Sequence, residues 1–285
     1  MASDTPAANL EAAEQAAAAV RRGDPVQALE ALTAAVRQRP ADVRLRVFLA
    51  QLLCVLGQWP RAHTQLNVMA ELDASTAPMR EMVGHALRCE RLRAAVFDGR
   101  RTPMVFGEPD AWLAQLIESL LQQAQGQGEL AAQLAAQAFD AAPTSAGRID
   151  GQRFEWIADA DSRLGPVLEA MVNGRYYWIP FARLGRIVLE PPVDLRDRVW
   201  MPAQLRFANG GEVVAMIPVR YPGTQDQADG ALRMAARTDW AEAAPGRWLG
   251  LGQRVLVTDA GEYGLLDVRQ IDFDADSGAA DAADG

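Results

Sequence analysis

Gly23-Asp24-Pro25-Val26-Gln27-Ala28 is followed 34 residues later by Gly57-Gln58-Trp59-Pro60-Arg61-Ala62, and Leu32 is followed at the same distance by Leu66. In both stretches a glycine interrupts a run of apolar residues at helical spacing, and a second such run starts at once. Asp24 stands where a cap is needed and Pro25 at the first helical position, where its missing N–H does no harm. Pro40 lies 17 residues after Gly23 and closes the second run, because proline cannot continue a helix. A more distant copy keeps Gly126, Ala131 and Pro143 at the same offsets of 5 and 17. Each copy reads as two antiparallel helices joined by a glycine turn, with a small residue where the helices meet.

A 34-residue period of such hairpins is that of tetratricopeptide repeats, in which each hairpin covers the open face of its neighbour. An Ala-rich bundle with accidental spacing is the alternative. The pattern predicts helices near 9–21, 25–38, 42–56, 60–72, 77–97, 110–124 and 128–140. The helix at 42–56 is apolar around most of its circumference and is expected at the centre of the array. The stretch Gly99 to Asp110, with Pro103, Gly107 and Pro109, breaks the periodicity and reads as a structured connection.

After Pro143-Thr144-Ser145-Ala146-Gly147 alanine thins out and aromatic, β-branched and turn residues become common. Strands are expected at Tyr176 to Phe181 and Arg186 to Leu189. A hairpin should follow, with Leu205-Arg206-Phe207 and Val213 to Ile217 flanking Asn209-Gly210. Arg254 to Thr258 and Leu265 to Ile271 are further candidates, and a helix is expected near Arg163 to Met171. The fold class is therefore multidomain: a TPR-like helical hairpin array over 1–145, then a smaller α+β domain over 146–273. An acidic tail at 274–285 has too little apolar content to fold.

All 28 basic residues are arginine, and the net charge is −9. Arginine stays protonated, so there is no Schiff-base amine and no P-loop phosphate lysine; pyridoxal-phosphate enzymes, Walker-type hydrolases and serine-lysine hydrolases are excluded in their usual forms. The mildly acidic body offers no general attraction to a phosphate backbone, so no nucleic-acid partner is expected. The densest apolar run, Val47 to Leu56, contains Gln51 and is too short to span a bilayer, and the N-terminus carries no secretory signal pattern. With two cysteines, Cys54 and Cys89, and no disulfide framework, a cytoplasmic protein is expected.

Candidate chemistry is sparse. His85 and Cys89 share a helix face, but His63 and Cys54 do not complete a metal site with them, and helix packing explains the pair. Asp272, Asp274 and Asp276 imitate a calcium loop, yet Ser277 stands where the turn glycine belongs and Ala283 where the bidentate glutamate belongs. Gly126-Gln127-Gly128-Glu129-Leu130-Ala131 follows a helix, not a strand, so it is no dinucleotide fingerprint. Neither a metal nor another cofactor is expected. Glu155, Asp159 and Asp161 remain as a possible acid/base or magnesium constellation, against the reading that they cap the helix expected at 163–171 and pair with local arginines.

The segments Phe154-Glu155-Trp156-Ile157-Ala158-Asp159-Ala160-Asp161-Ser162-Arg163-Leu164-Gly165-Pro166 and Asn173-Gly174-Arg175-Tyr176-Tyr177-Trp178-Ile179-Pro180 closely resemble the ImpE/TagJ family. So do Asp194-Leu195-Arg196-Asp197, Asn209-Gly210-Gly211-Glu212, Arg220-Tyr221-Pro222-Gly223 and Leu266-Asp267-Val268-Arg269. In the first half, Gln51-Leu52-Leu53, Leu56-Gly57-Gln58-Trp59, Arg88-Cys89-Glu90 and Val105-Phe106-Gly107-Glu108-Pro109 are similar to it as well. The resemblance spans roughly 23 to 271. It implies a non-enzymatic cytoplasmic adaptor of the bacterial type VI secretion system, binding a helix of the small contractile-sheath subunit and connected with the AAA+ ATPase that disassembles the sheath. A general repeat scaffold for another protein is the alternative, and a carboxylate-dependent enzyme the third reading.

For a helical array, the expected binding mode is an amphipathic helix laid in a groove. Arg44 and Gln51 are seven residues apart and share a face with Val47 and Phe48 between them. With Arg88 on the helix at 77–97, they are the candidate partner-binding residues, expected on the concave surface. The aromatic run Tyr176-Tyr177-Trp178 is the second choice.

Overall fold

The computed structural model describes residues 5–108 and 110–274, so the tail expected at 274–285 lies outside the described residues save for Asp274. The first half runs α1 (Thr5–Arg21), α2 (Pro25–Gln38), α3 (Val43–Val55), α4 (Trp59–Leu72), α5 (Ala77–Phe97), the short strand β1 (Met104–Val105), α6 (Ala111–Ala124) and α7 (Gly128–Ala141). Apart from the start of α1, these bounds fall within a residue or so of the expected ones.

The three turn glycines explain why the hairpins repeat. Gly23, Gly57 and Gly126 have φ of 77°, 67° and 80°, a left-handed conformation that a residue without Cβ adopts freely. In each turn the next residue donates its N–H to the carbonyl five positions back: Asp24 to Ala19, Gln58 to Leu53 and Gln127 to Gln122, all at 2.9 Å. This is the Schellman closure of a helix, which satisfies carbonyls that the last turn would leave orphaned. Asp24 accepts from the Gln27 N–H at 2.9 Å and Asp42 from the Leu45 N–H at 3.2 Å, so both expected caps are in place. Ala28, Ala62 and Ala131 are fully buried at the helix crossings.

The second half consists of β2 (Gly147–Ile149), β3 (Gln152–Phe154), β4 (Ile157–Asp159), β5 (Val167–Val172), β6 (Arg175–Pro180), β7 (Leu184–Leu189), β8 (Trp200–Phe207), β9 (Glu212–Pro218), the four-residue helix α8 (Gly230–Arg233), β10 (Thr238–Ala244), β11 (Arg247–Gly252), β12 (Val255–Thr258), β13 (Gly261–Gly264) and β14 (Gln270–Phe273). Nine strands form one sheet in the order β1-β6-β5-β9-β8-β7-β14-β2-β3; β10-β11 form a ribbon and β13-β12-β4 a small sheet. Within the expected connection, the described residues 99–108 lend β1 to the edge of the large sheet, pairing parallel with β6.

Two expectations are corrected. The helix placed near 163–171 is in fact the strand β5, whose six residues are all buried. A strand covered on both faces loses its alternation, and periodicity then cannot separate it from a buried helix. Leu265 to Arg269 is a turn rather than a strand, held by the Asp267 N–H on the Gly264 carbonyl at 2.9 Å; pairing begins only at Gln270.

The large sheet has a core on each side. Met171, Tyr176, Trp178 and Trp200 pack with Leu49, Leu52, Val83 and Leu116 of the helices, while Phe154, Phe181, Ile187 and Leu205 build a second core on the opposite face. The helical array therefore lies directly against the sheet.

Candidate partner-binding surface

The face of α3 expected to meet a partner is only partly open. The 3-10 turn Leu195–Arg198 sits on α3, and the Leu195 N–H donates to Gln51 Oε1 at 3.1 Å. Gln51 is 8% exposed, so it is not the surface residue expected from the sequence. The reason is a long-range one: a polar amide on an apolar helix satisfies a backbone N–H that folding would otherwise bury unpaired. Arg44 is exposed, and Val47 and Phe48 are half-buried against the helical core. These three share one face of α3, at spacings of three and four residues.

Arg88 is exposed but stands apart from them. Two positions on, Glu90 accepts from Trp200 Nε1 at 2.8 Å, which aims that face of α5 at the sheet. Two residues correspond to about 200° around a helix, so Arg88 points away from the sheet. Tyr176 and Trp178 are fully buried, which removes the aromatic run as an alternative surface.

Between helices and sheet lies a network of buried charge that the sequence did not reveal. Arg93 of α5 donates from Nε and Nη2 to the two oxygens of Glu169 at 2.7 and 2.9 Å, and from Nη2 to the Arg220 carbonyl at 2.8 Å. Arg254 contacts Glu169 and Asp159, and the Tyr176 hydroxyl donates to Glu169. Burial alone would raise the Glu169 carboxyl, but Arg93 and Arg254 outweigh it and hold the group down at about 2. Arg220 reaches into the array, donating to the Val55 carbonyl at 2.6 Å and the Cys54 carbonyl at 3.4 Å. It thereby supplies a cation to the C-terminal end of α3, where the helix dipole favours one. One signal was available: Arg93 lies at i+4 from Cys89 and i−3 from Val96, both buried, so it is an arginine on the core face of its helix.

The carboxylate candidates are committed to this framework. Glu155 is exposed, whereas Asp159 and Asp161 are buried. Asp159 accepts from the Asp161 N–H at 2.9 Å and the Tyr221 hydroxyl at 3.0 Å and pairs with Arg254; Asp161 accepts from the Arg163 N–H at 2.8 Å and the Gly250 N–H at 2.7 Å. They close a loop between strands and cap no helix, although the expected pairing with a local arginine is present in Arg163. Burial pushes Asp159 up to about 6 even with Arg254 beside it, because that guanidinium is shared with Glu169 and Asp161 lies close by. His85 lies against Gly174 at the β5–β6 turn, Cys89 is buried, and burial raises the Cys54 and Cys89 thiols to about 12 and about 11. No group of three metal-ligating side chains occurs among the described residues, nor is any helix there long and apolar enough to cross a membrane.

Comparison with known proteins places this geometry. The family model described as ImpE protein matches residues 151–272, and a tetratricopeptide repeat model matches residues 19–84. The type VI secretion system accessory component TagJ of Pseudomonas aeruginosa is 50% identical over 255 residues, covering 90% of this chain and 89% of that protein. A crystal structure of a Vibrio parahaemolyticus protein superposes with a TM-score of 0.85 at 25% identity, over 93% of this chain and 99% of the other.

Proposed function

The chain belongs to the ImpE/TagJ family of type VI secretion accessory components, and on that premise we propose that it is a non-enzymatic cytoplasmic adaptor that binds a helix of the small contractile-sheath subunit and works alongside the AAA+ ATPase that disassembles the sheath. The observation that carries the reading is the open part of α3: Arg44, Val47 and Phe48 share one face of a helix fixed on its other sides by its neighbours and by Arg220. An apolar stripe with a cation at its end accepts the apolar face of an amphipathic helix bearing an acidic flank. The repeat hairpins that hold α3 rigid lower the ordering cost of such binding. Asp159 and Asp161 are paired with Arg254 and Arg163 inside the protein and Glu155 stands apart from them at the surface, which favours a binding role over a hydrolytic one.

Titration of the helical peptide of the sheath subunit tests the reading. Arg44→Glu with Phe48→Ala is expected to weaken binding at least tenfold, about 1.4 kcal/mol. Phe48→Ala lowers the melting temperature because the ring packs on the helical core, so Arg44→Glu alone, which touches no core contact, is the variant whose melting should stay close to wild type. Unchanged affinity in the folded variant moves the site off α3. Failure of the native protein to retain the sheath subunit in a pull-down sinks the choice of partner itself and favours a scaffold for another protein.

A further inference from the structure

Six strands of the large sheet carry a continuous row of charge. The register pairs Glu212 with Arg206, Arg206 with Arg186, Arg186 with Asp272, Asp272 with Arg148, and Arg148 with Arg153. Residues opposite each other across strands project from the same face, so the six side chains form one belt across β9-β8-β7-β14-β2-β3. At about 4.8 Å between strands the belt is roughly 24 Å long. Its face is the one that carries Trp200 and Met216 under the helices, continued past the helices' edge. There it borders a concavity of about 330 Å³ lined by Val188, Gln204 and Val214, the last 75% exposed.

Four arginines against two acids make a positive strip on a chain whose net charge is −9. Like charges directly opposite destabilise a strand pair, and the belt contains two such pairs, Arg186 with Arg206 and Arg148 with Arg153. Carboxylates of the C-terminal run relieve part of this: Asp272 pairs with Arg186, and Asp274 with Arg153 at 2.5 Å. The Arg206 side chain makes no hydrogen bond and no close ion pair among the described residues, although it lies near enough to Asp272 to help lower that carboxyl, and Arg148 donates to the Gly151 carbonyl at 3.2 Å. The same run continues with Asp276, Asp281 and Asp284 and contains no base.

We propose that residues 275–285 dock back along this arginine row, continuing the pairing that Asp272 and Asp274 begin and giving Arg148 and Arg206 their counterions. The strand that leads into the segment, β14, is itself part of the belt. Eleven residues extend up to about 36 Å, enough to cover the row, and the tether supplies an effective concentration on the order of millimolar. The row is then a docking surface for acidic peptide whose resident occupant is the chain's own C-terminus, and an acidic segment of another protein binds there only by displacing it. The inference is independent of the sheath-subunit reading, since its test contains no secretion component.

The test uses a chain ending at Asp274 and a fluorescein-labelled peptide of residues 275–285, followed by anisotropy at low salt. The peptide is expected to bind the shortened chain, to bind the full chain at least tenfold more weakly, and to lose affinity at least tenfold on Arg148→Glu with Arg206→Glu, with thermal melting as the folding control. Salt should weaken binding, as for any exposed charge pairing. Hydrogen exchange of the β8–β9 turn in the full chain is expected to speed up when the tail is removed. Absence of binding, equal binding to the two chains, or binding indifferent to charge reversal overturns the proposal. A glutamate peptide of the same length and charge is expected to bind the shortened chain and to be excluded from the full chain in the same way; equal binding of it to both chains overturns the tail as resident occupant. Should the double variant melt early, Arg206→Ala alone serves, with the same outcomes.

Discussion

Replacing Arg93 by methionine tests whether the buried charge network holds the helical array to the sheet. The side chain makes two hydrogen bonds to Glu169, at 2.7 and 2.9 Å, and one to the Arg220 carbonyl at 2.8 Å, all out of contact with water. Removing one member of a buried ion pair costs about 3–5 kcal/mol, because the other charge is left uncompensated. Arg254 and the Tyr176 hydroxyl remain on Glu169, so the expected loss lies at the lower end, about 3 kcal/mol. For a chain of this size that corresponds to a fall in Tm of roughly 6–12 °C. Arg93→Lys should fall between, since an ammonium keeps the charge but cannot reproduce the two-pronged geometry. The assay is urea unfolding at pH 7 with calorimetric melting, run as a cycle with Glu169→Gln; a coupling of at least about 1 kcal/mol is expected between the two sites. Losses below about 0.5 kcal/mol in both single variants, or additive effects in the double, would refute the idea that this pair fastens the two halves.

Three further outcomes follow from the same structure. Asp159 is raised from 3.8 to about 6, so between those values the native state holds a proton that the unfolded chain has lost, and stability falls as pH rises; Glu169, lowered from 4.5 to about 2, contributes stability that is complete above 4.5 and is lost as pH falls toward 2. Urea midpoints of Asp159→Asn between pH 2 and 7 should flatten the decline above pH 4 and keep the loss at low pH, and an unaltered profile above pH 4 contradicts the assignment. A fragment ending at Pro143 should be strongly helical by circular dichroism, yet self-associate in sedimentation, since it exposes the face on which Trp178 and Trp200 pack and leaves the Cys54 and Val55 carbonyls without Arg220; a monomeric fragment melting like the full chain argues against that dependence. Gly57→Ala should destabilise more than Gly23→Ala: both glycines have positive φ, costing about 1–2 kcal/mol for any other residue, but a methyl at 57 meets the Gln225 side chain at 2.6 Å whereas one at 23 meets nothing within 4 Å. Equal losses would show that Gln225 yields freely.

Local interactions with a short period were legible from the residues alone. A glycine turn, a cap three residues from the N–H it satisfies and a small residue at a helix crossing are all set within a few positions of each other, so Gly23, Asp24 and Ala28 announced a hairpin and the interval to Gly57 announced its repeat. The Asn209-Gly210 hairpin was legible for the same reason. The tertiary structure alone decided what covers α3 and α5. Gln51 reads as an exposed polar residue because its partner, the Leu195 N–H, is 144 residues away, and the carboxylates and carbonyls that Arg93, Arg220 and Arg254 meet come from other elements, so the residues around each arginine carry no mark of them. Asp159 and Asp161 looked available for chemistry until Arg254, Tyr221 and Gly250 were brought against them. The strand β5 was hidden by its own burial, since a segment covered on both faces keeps no alternation. Periodicity records which side of an element avoids water; it carries no record of what covers that side, and on this chain the cover of the array is the chain's own sheet.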